Sequence, residues 1–212
     1  MIKNIFTVLF VLFIGLCSNA EILPYRVSDI PVGTIGVYQT TTGLKTYKSP
    51  DKKSNIIFEK TWNYQTVNNL DYSENLFAIL KEKKELSFVY ATDIYDDFVE
   101  VIYDKQQNLK GCAYKEDSFH FLPWISFFNM YGRKYGLKLL KDAPSSILEL
   151  RSRSDKDSQI IERVSRPKKI RLTTIQGNWA LVTILDLDNT AKTGFIQWRG
   201  QNGELYLFPA IK

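Results

Sequence analysis

The chain has 212 residues, is 44% hydrophobic, 24% charged and 14% aromatic, and carries a formal net charge of +5 at pH 7. That apolar and aromatic content can offset the entropy of ordering a backbone, which excludes wholesale disorder. A single His (His120) and two Cys (Cys17 and Cys112) exclude a His-rich metal site, a four-cysteine zinc cluster and an intramolecular disulfide framework.

Residues 1–20, MIKNIFTVLFVLFIGLCSNA, read as a signal peptide. Lys3 supplies the positive n-region, Ile5 to Leu16 form an almost unbroken apolar run, and Ser18 and Ala20 are the small residues of a cleavage site before Glu21. The run is short for a membrane span. Lipid anchoring at Cys17 is disfavoured, because the preceding Leu16 is bulky where lipoprotein signals take Gly, Ala or Ser. The expectation is an exported protein, periplasmic or secreted. Its one remaining thiol, Cys112, is expected to be buried as a small hydrophobe.

In the first half, 21–124, short β patterns run over Leu86 to Thr92, Asp97 to Tyr103, Gly111 to Tyr114 and Ser118 to Leu122. Ser73 to Lys84 reads as a short helix or a surface excursion, with Ser73 as the N-cap of the helix. Residues 125–135 follow as a connector, and ISFFNMY (Ile125 to Tyr131) is too apolar for a free linker, so it is expected to pack between the halves. In the second half, 136–212, strands are expected at Ile170 to Ile175 and Trp179 to Leu185, around a Gln176-Gly177-Asn178 turn. Gly194 to Arg199 and Leu205 to Phe208 complete the set, with Gln201-Asn202-Gly203 as a turn between them. No helical periodicity of more than about three turns is evident after residue 20.

The halves repeat one pattern. KTYKSPDKKSNII (Lys45 to Ile57) and ELRSRSDKDSQII (Glu149 to Ile161) share Asp51/Asp155, Lys52/Lys156, Ser54/Ser158, Ile56/Ile160 and Ile57/Ile161 at an offset of 104. FVEV (Phe98 to Val101) then matches WALV (Trp179 to Val182) at an offset of 81, and KGCAY (Lys110 to Tyr114) matches TGFIQ (Thr193 to Gln197) at 83. The change of offset places an insertion in the first copy near 58–87.

The second copy, over residues 146–209, resembles a bacterial SH3-like (SH3b) domain. Leu148-Glu149-Leu150-Arg151-Ser152 stands for the family's opening strand and turn, and Ile160-Ile161 for its I/V-rich segment. Gly177-Asn178-Trp179-Ala180-Leu181-Val182 matches its G-x-W-x-x-V strand, and Thr193-Gly194-Phe195-Ile196 its closing strand. A diverged copy covers about 40–124, with Asp96-Asp97-Phe98 at the G-x-W position. The resemblance implies an all-β chain of two tandem SH3-like small barrels, and a role as a non-catalytic binding module.

Catalytic motifs are outweighed by ordinary readings. Cys112 and His120 hint at a Cys–His nucleophile, but Cys112 falls where the second copy has Phe195, a barrel-interior position. Ser49-Pro-Asp-Lys52 and Ser165-Arg-Pro-Lys168 have S-x-x-K spacing without the helix that motif needs. Asp186-Leu-Asp188-Asn189 suits a hairpin turn better than a calcium loop, and Asp93, Asp96, Asp97, Glu100 and Asp104 suit a solvated rim. No cofactor or metal is expected.

Binding candidates are aromatic: Trp179, Trp198 and Tyr206 in the second half, Tyr47 and Trp62 in the first. Residues 21–124 hold 12 basic and 15 acidic residues, whereas 136–212 hold 13 basic and 8 acidic. The second half therefore carries a basic patch of Arg151, Arg153, Arg163, Arg166, Lys168, Lys169 and Arg171. Export argues against nucleic acid and for peripheral contact with anionic surfaces. The expected partner is a cell-envelope polymer, peptide or protein. A structural envelope protein without a groove, or a wall hydrolase, stands as the alternative.

Overall fold

The computed structural model describes residues 30–67, 73–115, 121–140 and 143–211. The expected signal peptide, Cys17 and His120 lie outside the described residues. Among the described residues, no helix is long and apolar enough to cross a membrane.

The chain is predominantly β. The first half runs through β1 (Gly36–Thr40), β2 (Gly43–Tyr47), β3 (Ile56–Thr61), a one-turn helix α1 (Ser73–Leu76), β4 (Ile79–Lys81), β5 (Leu86–Ile94), β6 (Phe98–Asp104), β7 (Leu109–Tyr114) and β8 (Phe121–Pro123). Helix α2 (Trp124–Tyr135) then leads into β9 (Leu137–Leu139), β10 (Glu149–Arg151), β11 (Ile160–Arg163), β12 (Pro167–Gln176), β13 (Trp179–Asp186), β14 (Ala191–Gln197) and β15 (Leu207–Pro209). The first sheet has the order β3-β2-β7-β6-β5-β1-β8, with β4 paired to the start of β5. The second has the order β11-β10-β14-β13-β12, and β9 pairs with β15.

The path β3-β2-β7-β6-β5 is therefore repeated, strand for strand, by β11-β10-β14-β13-β12. The register repeats as well. Tyr47 opposes Cys112 as Arg151 opposes Phe195, and Val101 opposes Gly111 as Val182 opposes Gly194. Even the bulges coincide, at Ile57 and Ile161 and at Thr92 and Thr173. A bulged residue drops out of the ladder; Ile57 and Ile161 are 40% and 48% exposed, as is most of strands β3 and β11.

The identical residues of the repeat build the same turn. The Asp51 and Asp155 carboxylates accept bonds from the backbone N–H of Lys53 (2.9 Å) and Asp157 (3.0 Å). Their carbonyls accept from Ser54 (2.9 Å) and Ser158 (3.2 Å). Gly111 and Gly194 mark a shared close approach. A Cβ at Gly111 would lie 2.6 Å from Thr46 Oγ1, and one at Gly194 would lie 2.7 Å from Leu150 Cβ.

The connector segment belongs to α2, 12 residues long and so slightly beyond three turns at 3.6 residues each. Its buried residues Trp124, Phe127, Phe128 and Tyr131 follow helical spacing and form one face. That face lies between the halves. Phe127 meets Phe88 of the first sheet at 5.6 Å, and Phe128 meets Trp198 at 5.1 Å and Phe208 at 5.8 Å. The helix stops at Gly136, whose φ of 83° suits glycine and whose N–H donates to Gly132 O at 2.9 Å.

One hydrophobic core thus joins the two sheets through α2, while a second covers the far face of the first sheet. Strand β5 serves both. Leu86, Phe88 and Tyr90 enter the shared core, and Val89 and Ala91 the second, as a period of two requires. Two local expectations differ from the structure. Helix α1 ends at Leu76, because Ile79–Lys81 is taken up as β4 against β5 and only a 3-10 turn, Glu82–Lys84, follows. The expected strand at Ser118 to Leu122 is β8, Phe121–Pro123, and residues 116–120 lie outside the described part.

Candidate functional site

The duplicated strand path places one hollow at the same position in each half. In the second half it measures about 170 Å³ and is lined by Arg151, Lys156, Trp179, Gln197, Tyr206 and Glu149. Trp179 and Gln197 are opposed across β13 and β14, so the indole and the amide start from neighbouring positions. Both Trp179 and Tyr206 are half-buried, which fixes each ring and leaves part of it to solvent. The Arg151 guanidinium is anchored from behind, donating to Ser158 O at 2.7 Å and lying 3.6 Å from Glu149. Burial and the nearby Glu204 carboxylate push the Tyr206 hydroxyl above its ordinary pKa.

The counterpart in the first half measures about 400 Å³. Tyr47 stands where Arg151 does, Lys52 where Lys156 does, Tyr114 where Gln197 does and Lys45 where Glu149 does. Tyr47 and Tyr114, which line this hollow, are backed by the buried Phe98, 6.0 Å edge-on from Tyr47 and 5.4 Å from Tyr114. Lys52 Nζ lies 3.2 Å from the centroid of the Tyr114 ring, a cation–π contact that caps that ring. Position is kept while chemistry differs.

The structure separates the five aromatic candidates. Trp179 and Tyr206 line the second hollow and Tyr47 the first. Trp198 does not belong with them. It is fully buried, lies 5.5 Å from Trp124, and donates its indole N–H to Gly177 O at 2.9 Å. The helix α2 face claims that ring, which sequence alternation left open. Trp62 is 7% exposed, packs edge-on against Phe77 at 5.0 Å and donates to Thr41 O at 2.9 Å. Its remaining edge borders a separate hollow beside Tyr64.

The seven basic candidates also divide. Arg151 and Arg163 share Glu149, at 3.6 Å and 3.0 Å. Arg153 and Arg166 are exposed and line neither hollow. Lys168, Lys169 and Arg171 line a cleft between α2 and β12, together with Arg133 and Lys138. Sequence reading missed the last two. Their only signal was to be cations beside an apolar connector, and their convergence on β12 depends on tertiary packing.

Groups with possible chemistry hold structural posts. Cys112 is buried on β7, and burial, then Glu100 and Asp93, push its thiol pKa up, away from thiolate. Glu100 bonds Thr92 Oγ1 at 2.5 Å and Lys110 at 3.4 Å, and Asp104 accepts from the N–H of Gln107 at 2.9 Å. Asp188 closes the β13–β14 turn by accepting from Thr190 Oγ1 at 2.6 Å and from its N–H at 2.9 Å. Among the described residues, no group of three or more His, Cys, Asp or Glu is placed to hold a metal ion. No protein-family model matches the chain, and no curated protein matches it.

Proposed function

We propose that the chain is a non-catalytic, exported binding module whose two repeated units are SH3-like barrels, and that it recognises a cell-envelope component. The observation that carries the reading is the convergence of Trp179, Tyr206, Arg151 and Gln197 on one open hollow. A half-buried indole offers a flat apolar face, and the guanidinium, amide and phenol around it offer directed hydrogen bonds. That combination suits the face of a sugar ring or an extended peptide, which are the components of a wall polymer. The hollow of the first unit is the second contact, with a tyrosine-lined floor in place of the indole.

Retention of the purified protein on wall sacculi tests this reading. The wild-type protein is expected to be retained at low salt and Trp179→Ala to be lost to the supernatant with its fold intact by circular dichroism. Trp198→Ala is unsuitable, because that ring is core. No retention of wild type, or equal retention of Trp179→Ala, overturns the reading and favours a structural protein without a working groove.

A further inference from the structure

We propose that the cleft between α2 and β12 is a separate site for a ligand carrying several phosphate groups close together. The cleft encloses about 790 Å³. Arg133 and Lys138 come from one wall, the end of α2 and β9; Lys168, Lys169 and Arg171 come from the other, β12. Among the described residues, no Asp or Glu lines it.

Three cations of the second half are held against carboxylates. Arg151 and Arg163 share the one Glu149 carboxylate, and Lys192 lies 3.4 Å from Glu162 and 3.8 Å from Asp186. None of the cleft's five forms an ion pair with a carboxylate of the described residues, and Lys168 donates to the neutral Asn189 amide at 3.0 Å. Like charges facing each other across a concave wall raise the local potential, and an anion that enters relieves their repulsion.

The walls are rigid. Phe128, Leu137, Ile170 and Leu172 form the floor and belong to the shared core. The end of α2 presents the negative pole of the helix dipole, a partial charge that the five full positive charges of the cleft outweigh. Two guanidiniums offer bidentate bonds to phosphate oxygens, and three ammoniums act as point charges.

Concavity and charge density select the ligand. A flat membrane meets only the rim. An acidic peptide brings its carboxylates on flexible stems together with a backbone, whereas condensed phosphate carries a negative charge on every phosphorus in a slim chain. The cleft shares no lining residue with either hollow, so the two proposals fail independently.

Isothermal titration of the purified protein with inorganic tripolyphosphate tests the site. Saturable one-to-one binding is expected, accompanied by a rise in thermal midpoint. Arg171→Ala and Arg133→Ala, from opposite walls, should each weaken binding by about tenfold, the loss of one charge-assisted contact. Lys48→Ala, an exposed cation of the first half, should leave it unchanged. Absence of saturable heat overturns the proposal, as does an equal loss in Lys48→Ala, which would mean diffuse charge. Tighter binding of poly-glutamate overturns it in favour of an acidic peptide. Retention on phosphatidylglycerol vesicles that tripolyphosphate does not displace overturns it in favour of a lipid surface.

Discussion

The Trp198 indole of the second half lies 5.5 Å from the Trp124 indole that opens α2, the planes inclined at 53°. Trp124 in turn donates its N–H to Thr34 O of the first half at 3.0 Å. The pair ties both halves to one helix. Trp198→Ala should cost about 3–5 kcal/mol, the range for removing a large buried aromatic. Urea unfolding of wild type should show one transition reported alike by all probes; two separated transitions would contradict a single shared core.

Gly111 and Gly194 occupy equivalent positions where a neighbouring strand approaches too closely for a Cβ. Gly111→Ala and Gly194→Ala should each destabilise by about 1–3 kcal/mol through overpacking. Denaturant midpoints measure this, and a neutral effect at either position would break the equivalence.

Thr46 is fully buried, and its hydroxyl has no hydrogen-bond partner in the described structure. The equivalent residue in the second half is Leu150, which is also fully buried. Thr46→Val removes the unpaired hydroxyl and should raise stability by about 1 kcal/mol. A fall in thermal midpoint would show that the hydroxyl has a partner after all.

Burial raises the Cys112 thiol above its ordinary pKa of 9.0, since the folded environment favours the neutral form. Its contribution to stability is complete below that value and is lost as pH rises through the higher folded value. Tyr64, Tyr95, Tyr131 and Tyr206 are raised in the same sense from 10.0, and burial lowers Lys105 from 10.5, so the thiol is isolated by comparison with Cys112→Ala. Wild-type stability should decline as pH rises above 9.0 more steeply than that of Cys112→Ala. In the native protein, iodoacetamide should react slowly with Cys112 and rapidly only after unfolding.

The repeat was legible because turn chemistry depends on particular side chains. The Asp51 and Asp155 carboxylates accept from backbone N–H groups, Ser54 Oγ accepts from Ser49 N–H and Ser158 Oγ donates to Asp155 O, so the side chains are kept where strand residues diverge. Strands β12 and β13 were legible from apolar alternation around Gly177, whose φ of 58° is a glycine conformation. Helix α2 was not, because its apolar stripe is made of Trp124, Phe127, Phe128 and Tyr131, aromatics whose local preference is for strands. Tertiary burial overrides that preference. The hollow beside Trp179 was half legible: its ring was named, but Gln197 and Glu149 join it only through strand pairing.

Helix α2 is held on both sides by aromatic rings. The mouths of the two repeated hollows therefore keep a fixed separation, like the jaws of a locked caliper. Under the proposed function, a polymer long enough to touch both would have to match that gap with its own repeat length. One that fits gains the second contact without ordering a linker, and one that does not is limited to a single mouth.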